Sequence, residues 1–190
     1  SMYDEMSVIN KIKYLIKKIK LRLLTLNLKD SSYFYIEPYE YVTAQEILAK
    51  LSFKPDVIIA HWIATFISIS TLKDMNRISG SPIFWYLMDM APMTGGCHYM
   101  MGCDGYKNKC GNCPQLKVDK DDDLSRIQWM SKRSIVKDLN LIPVCGSSWQ
   151  KEKLDSSSIY KDKHSVVIPL AVDVDIFCPG EVSQARSILK

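Results

Sequence analysis

Four of the six cysteines in this 190-residue chain fall between positions 97 and 113, in the stretch TGGCHYMMGCDGYKNKCGNCPQL (94–116). Five of its eight glycines (Gly95, Gly96, Gly102, Gly105 and Gly111) lie there too, so the backbone can fold closely around whatever the thiols hold. The spacing is C-x5-C-x6-C-x2-C. Its last pair, Cys110-Gly111-Asn112-Cys113, is a metal half-site, because a two-residue gap lets two thiolates and the amides between them wrap one ion. Four thiolates select zinc or an iron–sulfur cluster, and nothing else in the chain suggests redox chemistry. The expectation is one zinc held by Cys97, Cys103, Cys110 and Cys113, with His98 either replacing one thiol or lining a neighbouring cleft. Such a site has no open position, so its zinc is structural. Two disulfides, or four free thiols folding a loop, are the other readings of the same residues. Cys145 and Cys178 stand alone and are expected in the core.

The elements that position this stretch are legible from punctuation and pattern. The loop follows IFWYL (83–87), an apolar run of strand length. KPDVIIAHW (54–62) holds a second such run from Val57 to Ala60, LIPVC (141–145) a third, and HSVVIPL (164–170) a last strand. Runs without alternation suit parallel strands buried on both faces. Helical spacing appears over about 65–78 and 124–139, and Ser148 is placed to cap a helix from Trp149. Thr43 with Glu46 three residues on is a capping-box spacing for a short helix over 44–51. YFYIE (33–37) reads as a short strand. The alternation predicts a single α/β domain over 1–190, Rossmann-like, with a mostly parallel sheet and helices on both faces.

In such sheets ligands bind beyond the carboxyl ends of the strands. Three groups fall there: His61-Trp62, Met88-Asp89 with the glycine–cysteine stretch, and Gly146-Ser147-Ser148. Their convergence marks a site. Asp89 is read as a partner for a substrate hydroxyl or as a turn carboxylate bonding nearby amides. His61 is a cleft group or a satisfied buried histidine. Gly95 and Gly96 permit close approach to a ligand, or form the turn into the cysteine loop. Ser147 and Ser148 are capping residues, and Trp62, Trp85 and Trp149 are core or cleft-wall aromatics.

Charge is local. The net charge is +4, from 25 basic and 21 acidic residues, yet residues 7–26 hold six basic ones (Lys11, Lys13, Lys17, Lys18, Lys20, Arg22) and none acidic. The remainder is slightly negative. Val8, Ile12, Leu15, Ile16, Ile19, Leu23 and Leu26 recur at helical spacing in this segment, which predicts an amphipathic helix packed on its own domain, with contact to an anionic membrane surface as the second reading. No apolar run approaches the roughly 20 residues that span a bilayer, and the N-terminus lacks the pattern of a secretion signal. The expected location is the cytoplasm, free or peripheral at the inner face of the cell membrane, where clustered thiols more often hold metal than pair.

The stretch FWYLMDMAPMTGGCHYMMGCDGYKNKCGNCPQL (84–116) resembles a segment of certain bacterial family 4 glycosyltransferases. That segment reads W-T-L-H-D-x-W-x-x-T-G-G-C-x-Y, followed by three more cysteines ending C-x-x-C-P. KPDVIIAHW resembles their strand leading to an acceptor-cleft histidine, and VVIPLAVDVDIFCPGEVSQARSIL (166–189) resembles their interdomain linker. The resemblance implies the N-terminal, acceptor-side half of a GT-B fold without its first strand. Residues 169–190 would lead towards a C-terminal domain that binds most of the nucleotide-sugar donor, and this portion alone would have little activity. It further implies transfer with retained anomeric configuration to a glycan or lipid-linked acceptor of surface polysaccharide synthesis. Asp89 would be the catalytic-site carboxylate, with His61, Gly95, Gly96 and His98 on the acceptor. Two positions depart from the pattern: Met88 stands for the family's histidine, and Leu170-Ala171 for its linker Asn-Gly.

A zinc-stabilised binding module without catalysis is the alternative, with the lysine helix on nucleic acid or a membrane surface. The basic residues lie far from the cysteines and the aromatics sit in apolar strands, so nucleic acid is not expected as a partner. A thiol oxidoreductase usually places its C-x-x-C where a strand runs into a helix, whereas this pair lies in a long glycine- and lysine-rich loop.

Overall fold

Four parallel strands lie side by side in their order along the chain. The computed structural model describes residues 8–36, 42–64 and 66–189. Helices α1 (Val8–Thr25) and α2 (Ala44–Leu48) precede β1 (Ile58–Ala60), α3 (Ile69–Ser79) and β2 (Ile83–Leu87). A long excursion then carries a 3-10 turn (Ala91–Met93) and the one-turn helix α4 (Gly105–Asn108). Helix α5 (Leu124–Asp138) returns the chain to β3 (Leu141–Cys145), and α6 (Ser148–Ser156), β4 (Val166–Val167) and α7 (Val182–Ile188) follow. The class is the α/β, Rossmann-like one expected.

Local signals set most boundaries. Thr43 and Glu46 form the expected capping box, and Ser68 with Thr71 forms a second, which starts α3 at Ile69 and not near Thr65. Gly80, at φ 75°, ends α3 in the left-handed conformation that a side chain disfavours. Helix α6 is capped one residue earlier than expected, by Ser147, whose hydroxyl accepts from the Gln150 amide at 3.2 Å.

Coverage of the sheet is unequal. Ile83, Trp85 and Leu87 on β2, with Leu141 and Cys145 beside them on β3, are buried under side chains of α3, α5 and α6. The opposite face carries Ile59, Phe84, Ile142, Tyr86 and Val144, of which Ile59 is 64% exposed, Phe84, Ile142 and Tyr86 are half-buried and Val144 is buried. Consecutive strand order with right-handed crossovers sends the connecting helices α3, α5 and α6 to one side.

Several expectations are corrected. The Val57–Ala60 run forms an edge strand and is not buried on both faces. Within the expected strand 33–37, only an isolated antiparallel bridge of Phe34 with Cys97 forms, and Glu37, like Thr65, lies outside the described residues. Cys178 is exposed, in a tail whose residues 168–189 are all exposed. The apolar stripe of α1 does not face the domain: Ile12, Leu15, Ile16, Ile19, Leu23 and Leu26 are each more than half exposed.

Burial pushes the Cys145 thiol up to about 11 from its ordinary 9.0, with the Asp155 charge adding to the rise. Between those values the unfolded chain gives up a proton that the folded one keeps, so stability falls as pH rises through this window. Thermal melts from pH 8 to 11 should show this decline, and it should be shallower in Cys145→Ala. An identical slope in the variant would remove Cys145 as its source.

Candidate functional site

Because β1 and β2 are hydrogen-bonded neighbours, the residues that follow them emerge side by side. His61, Trp62, Met88, Asp89 and His98 line one cavity at that edge, with Tyr35 and Lys132 in its wall. Met88 and Asp89 also border a second space of about 240 Å³, lined by Tyr99, Gly146, Trp149 and Leu170. Sharing those two residues, the two spaces adjoin at the ends of β1, β2 and β3 and are together called the groove.

Asp89 does two jobs in this groove. Its Oδ1 accepts from the Ala91 amide at 2.8 Å, the turn role, and its Oδ2 is bonded to His98 Nδ1. A carboxylate only accepts, so Nδ1 carries the proton of this bond and Nε2 is the ring nitrogen left for other partners. The His98 ring is also stacked on Trp62, with centroids 5.7 Å apart and planes 17° apart. Its backbone amide donates to Tyr33 O at 2.9 Å, and its carbonyl accepts from the Met90 amide at 3.1 Å. Side-chain exposure is 16% for His98 and 9% for Asp89. The histidine is thus the more accessible of the pair and the aspartate its orienting partner. His61 is exposed and stacks on Tyr86 at 5.6 Å, while its carbonyl accepts from the Trp85 indole.

The thiols occupy a different cavity. Cys97, Cys103, Cys110 and Cys113 all line a space of about 20 Å³ together with Gly95 and Gly96, room for about one water-sized body. The Gly95 amide donates to Cys110 Sγ at 3.1 Å, a contact that favours the thiolate, and the Gly105 amide donates to Cys103 Sγ at 3.4 Å. Burial pushes Cys97 up, Cys110 to about 12 and Cys113 to about 11. All six cysteines are free thiols. Among the described residues no three cysteine, histidine or carboxylate side chains converge closely enough to grip an ion as they stand. Donor type, number and common cavity fit a zinc, and coordination requires the four sulfurs to draw together. His98 is in the groove and not in this cavity.

Gly95 and Gly96 likewise sit in the wall of the thiol cavity, buried away from the groove. A Cβ at Gly95 would lie 2.5 Å from Ser125 O and 2.9 Å from Cys110 Cβ. At Gly96, with φ 139°, it would lie 2.6 Å from Tyr35 O. Their reason is close backbone packing against α5, not approach to a ligand.

Helix α5 supplies the residues that sequence reasoning missed. Gln128 Nε2 donates to Gly95 O at 2.6 Å and Tyr35 O at 3.1 Å. Lys132, 2% exposed, donates to Ala91 O at 2.7 Å and Thr94 O at 3.2 Å. Asp123 accepts from the Cys113 amide at 2.7 Å. A signal was present, since Ser125, Gln128, Trp129, Lys132 and Val136 share one helical face and three of the five are polar.

Fold and groove define an α/β domain with a site at the carboxyl ends of its strands, an arrangement that hosts many chemistries. No family model, no curated protein and no solved structure matches the chain.

The glycine packing has a direct test. Gly95→Ala should destabilise the fold by about 1–3 kcal/mol, since the Ser125 carbonyl is backbone and cannot step aside. Gly105→Ala should be nearly neutral, because its Cβ would meet Cys103 Sγ at an ordinary 3.5 Å. Denaturant unfolding of both variants compares them, and equal effects would contradict the packing argument.

Proposed function

We propose that this domain is the acceptor-side half of a retaining glycosyltransferase, moving a sugar from a nucleotide-sugar donor to a glycan or lipid-linked acceptor in bacterial surface polysaccharide synthesis. The observation that supports it most is the placement of the Asp89 and His98 of the resembling stretch in one strand-end groove with His61. In the reaction the bond from the anomeric carbon to the donor diphosphate breaks, and a bond to the acceptor oxygen forms on the same face. The acceptor proton passes to a donor phosphate oxygen. The chain's own share is positioning. His61 and His98 present ring nitrogens to acceptor hydroxyls, Trp62 offers an exposed aromatic face to a sugar ring, and Asp89 fixes the His98 ring. Met88 borders the same groove, where the resembling family carries a histidine.

A zinc bound by Cys97, Cys103, Cys110 and Cys113 would be structural, supplying a rigid loop and no reacting group. Cys97 as a ligand would tie down the backbone immediately before His98, which links the thiol cavity to the groove through one peptide bond. The donor nucleotide falls mainly to a second domain, and the reaction belongs in the cytoplasm.

Two measurements test this reading. Purified protein should contain about one zinc per chain, lost in Cys110→Ser with loosening of the loop. No bound metal, with all four thiols titrating freely in the native state, would refute the zinc. In the two-domain enzyme, Asp89→Ala should lower turnover about a hundredfold with fold and zinc content unchanged. Met88→His should be tolerated. Unchanged turnover in Asp89→Ala would defeat the assignment of the groove as the acceptor site.

A further inference from the structure

Helix α1 turns its main apolar surface away from the protein. On a helical wheel Ile12, Leu15, Ile16, Ile19, Leu23 and Leu26 fall within an arc of roughly 100°, and every one of them is more than half exposed. The helix is held to the domain by its opposite side. Leu21 and Leu24 are half-buried and pack against Leu28, Phe34 and Leu116. The attachment continues just beyond the helix, where Leu28 bridges Leu116, the Lys29 amide donates to Gln115 O and the Lys117 amide to Asn27 O. The outward stripe is therefore set by a fixed seat on the end of the cysteine loop.

Charge completes the pattern. In helical register, positions 11, 18 and 22 border the stripe on one side and positions 13, 17 and 20 on the other. All six are basic, and residues 7–26 contain no acidic residue. A second protein surface would need no such double border. A bilayer does: the stripe enters the acyl boundary while cations on both flanks meet lipid phosphates. No described helix is long and apolar enough to cross a membrane, so α1 lies on the surface.

We propose that α1 is a membrane-docking helix for an anionic lipid bilayer, lying in the plane of the headgroups with Ile12, Ile19 and Leu23 innermost. The seat on residues 114–117 sets the cysteine loop, and with it the groove edge at His98 and Tyr99, on the same part of the domain as the docked helix. The partner surface thus deepens the proposed function by naming where a lipid-linked acceptor is met. It rests on that reading only for the acceptor, because membrane contact is read without any sugar transfer.

The experiment is vesicle flotation of the unmodified chain with phosphatidylcholine vesicles and with vesicles containing phosphatidylglycerol, at low and high salt. Binding should be at least about tenfold tighter to the anionic vesicles and should weaken as salt rises. Ile16→Glu/Ile19→Glu should abolish binding at low salt, while Lys20→Glu/Arg22→Glu should remove the preference for anionic lipid. Circular dichroism checks that both remain folded, and the lipid and salt comparison on the unmodified chain stands without them. No binding, or equal binding to both vesicle types, overturns the proposal. So does a concentration-dependent dimer in sedimentation that Ile16→Glu/Ile19→Glu dissolves, since a second copy would then cover the stripe.

Discussion

The glycine–cysteine excursion has almost no secondary structure of its own, and its backbone is held by side chains of α5. Gln128 takes the Gly95 and Tyr35 carbonyls, Lys132 those of Ala91 and Thr94, and Asp123 the Cys113 amide. A buried carbonyl left without a donor costs about 1–3 kcal/mol, so an irregular segment of this length is stable only where such partners exist. Everything at the groove depends on this arrangement. The 3-10 turn after Asp89, the close packing of Gly95 on Ser125 and the position of His98 all follow from a helix whose buried face is as much polar as apolar.

That face also shows why the candidate site was only partly legible. Residue types announced the thiols, His61 and Asp89, and strand ends announced that they belong at one edge. The division of the edge into a groove and a thiol cavity was not legible, because it depends on which way residues 95–98 turn. Gly96, in a conformation that disfavours a side chain, directs Cys97 to one cavity and His98 to the other. Lys132 looked like an ordinary helix lysine, and only its spacing from Gln128, Trp129 and Val136 marked it as buried.

For the fold, signals that act over a few residues were reliable. The Thr43 box, IFWYL and LIPVC lie where the pattern puts them. What failed were inferences from apolarity to burial. VIIA and the α1 stripe are as apolar as the central strands, yet Ile59 and Ile16 are exposed, since nothing in a local pattern tells which apolar surface finds a partner within the chain. Strand order, which gathers α3, α5 and α6 on one face, is likewise a property of the assembled sheet.

The two isolated bridges, Leu28 to Leu116 and Phe34 to Cys97, join segments 88 and 63 residues apart. The sheet pairs nearest neighbours in the chain, with β1 to β2 closing over 25 residues and β2 to β3 over 58. Closing the longest of these spans costs about 2 kcal/mol more than closing a ten-residue turn, with no reward until α5 and the loop are in place. Non-local contacts of this kind slow folding. Among the pairings described, the seat of α1 closes the longest span.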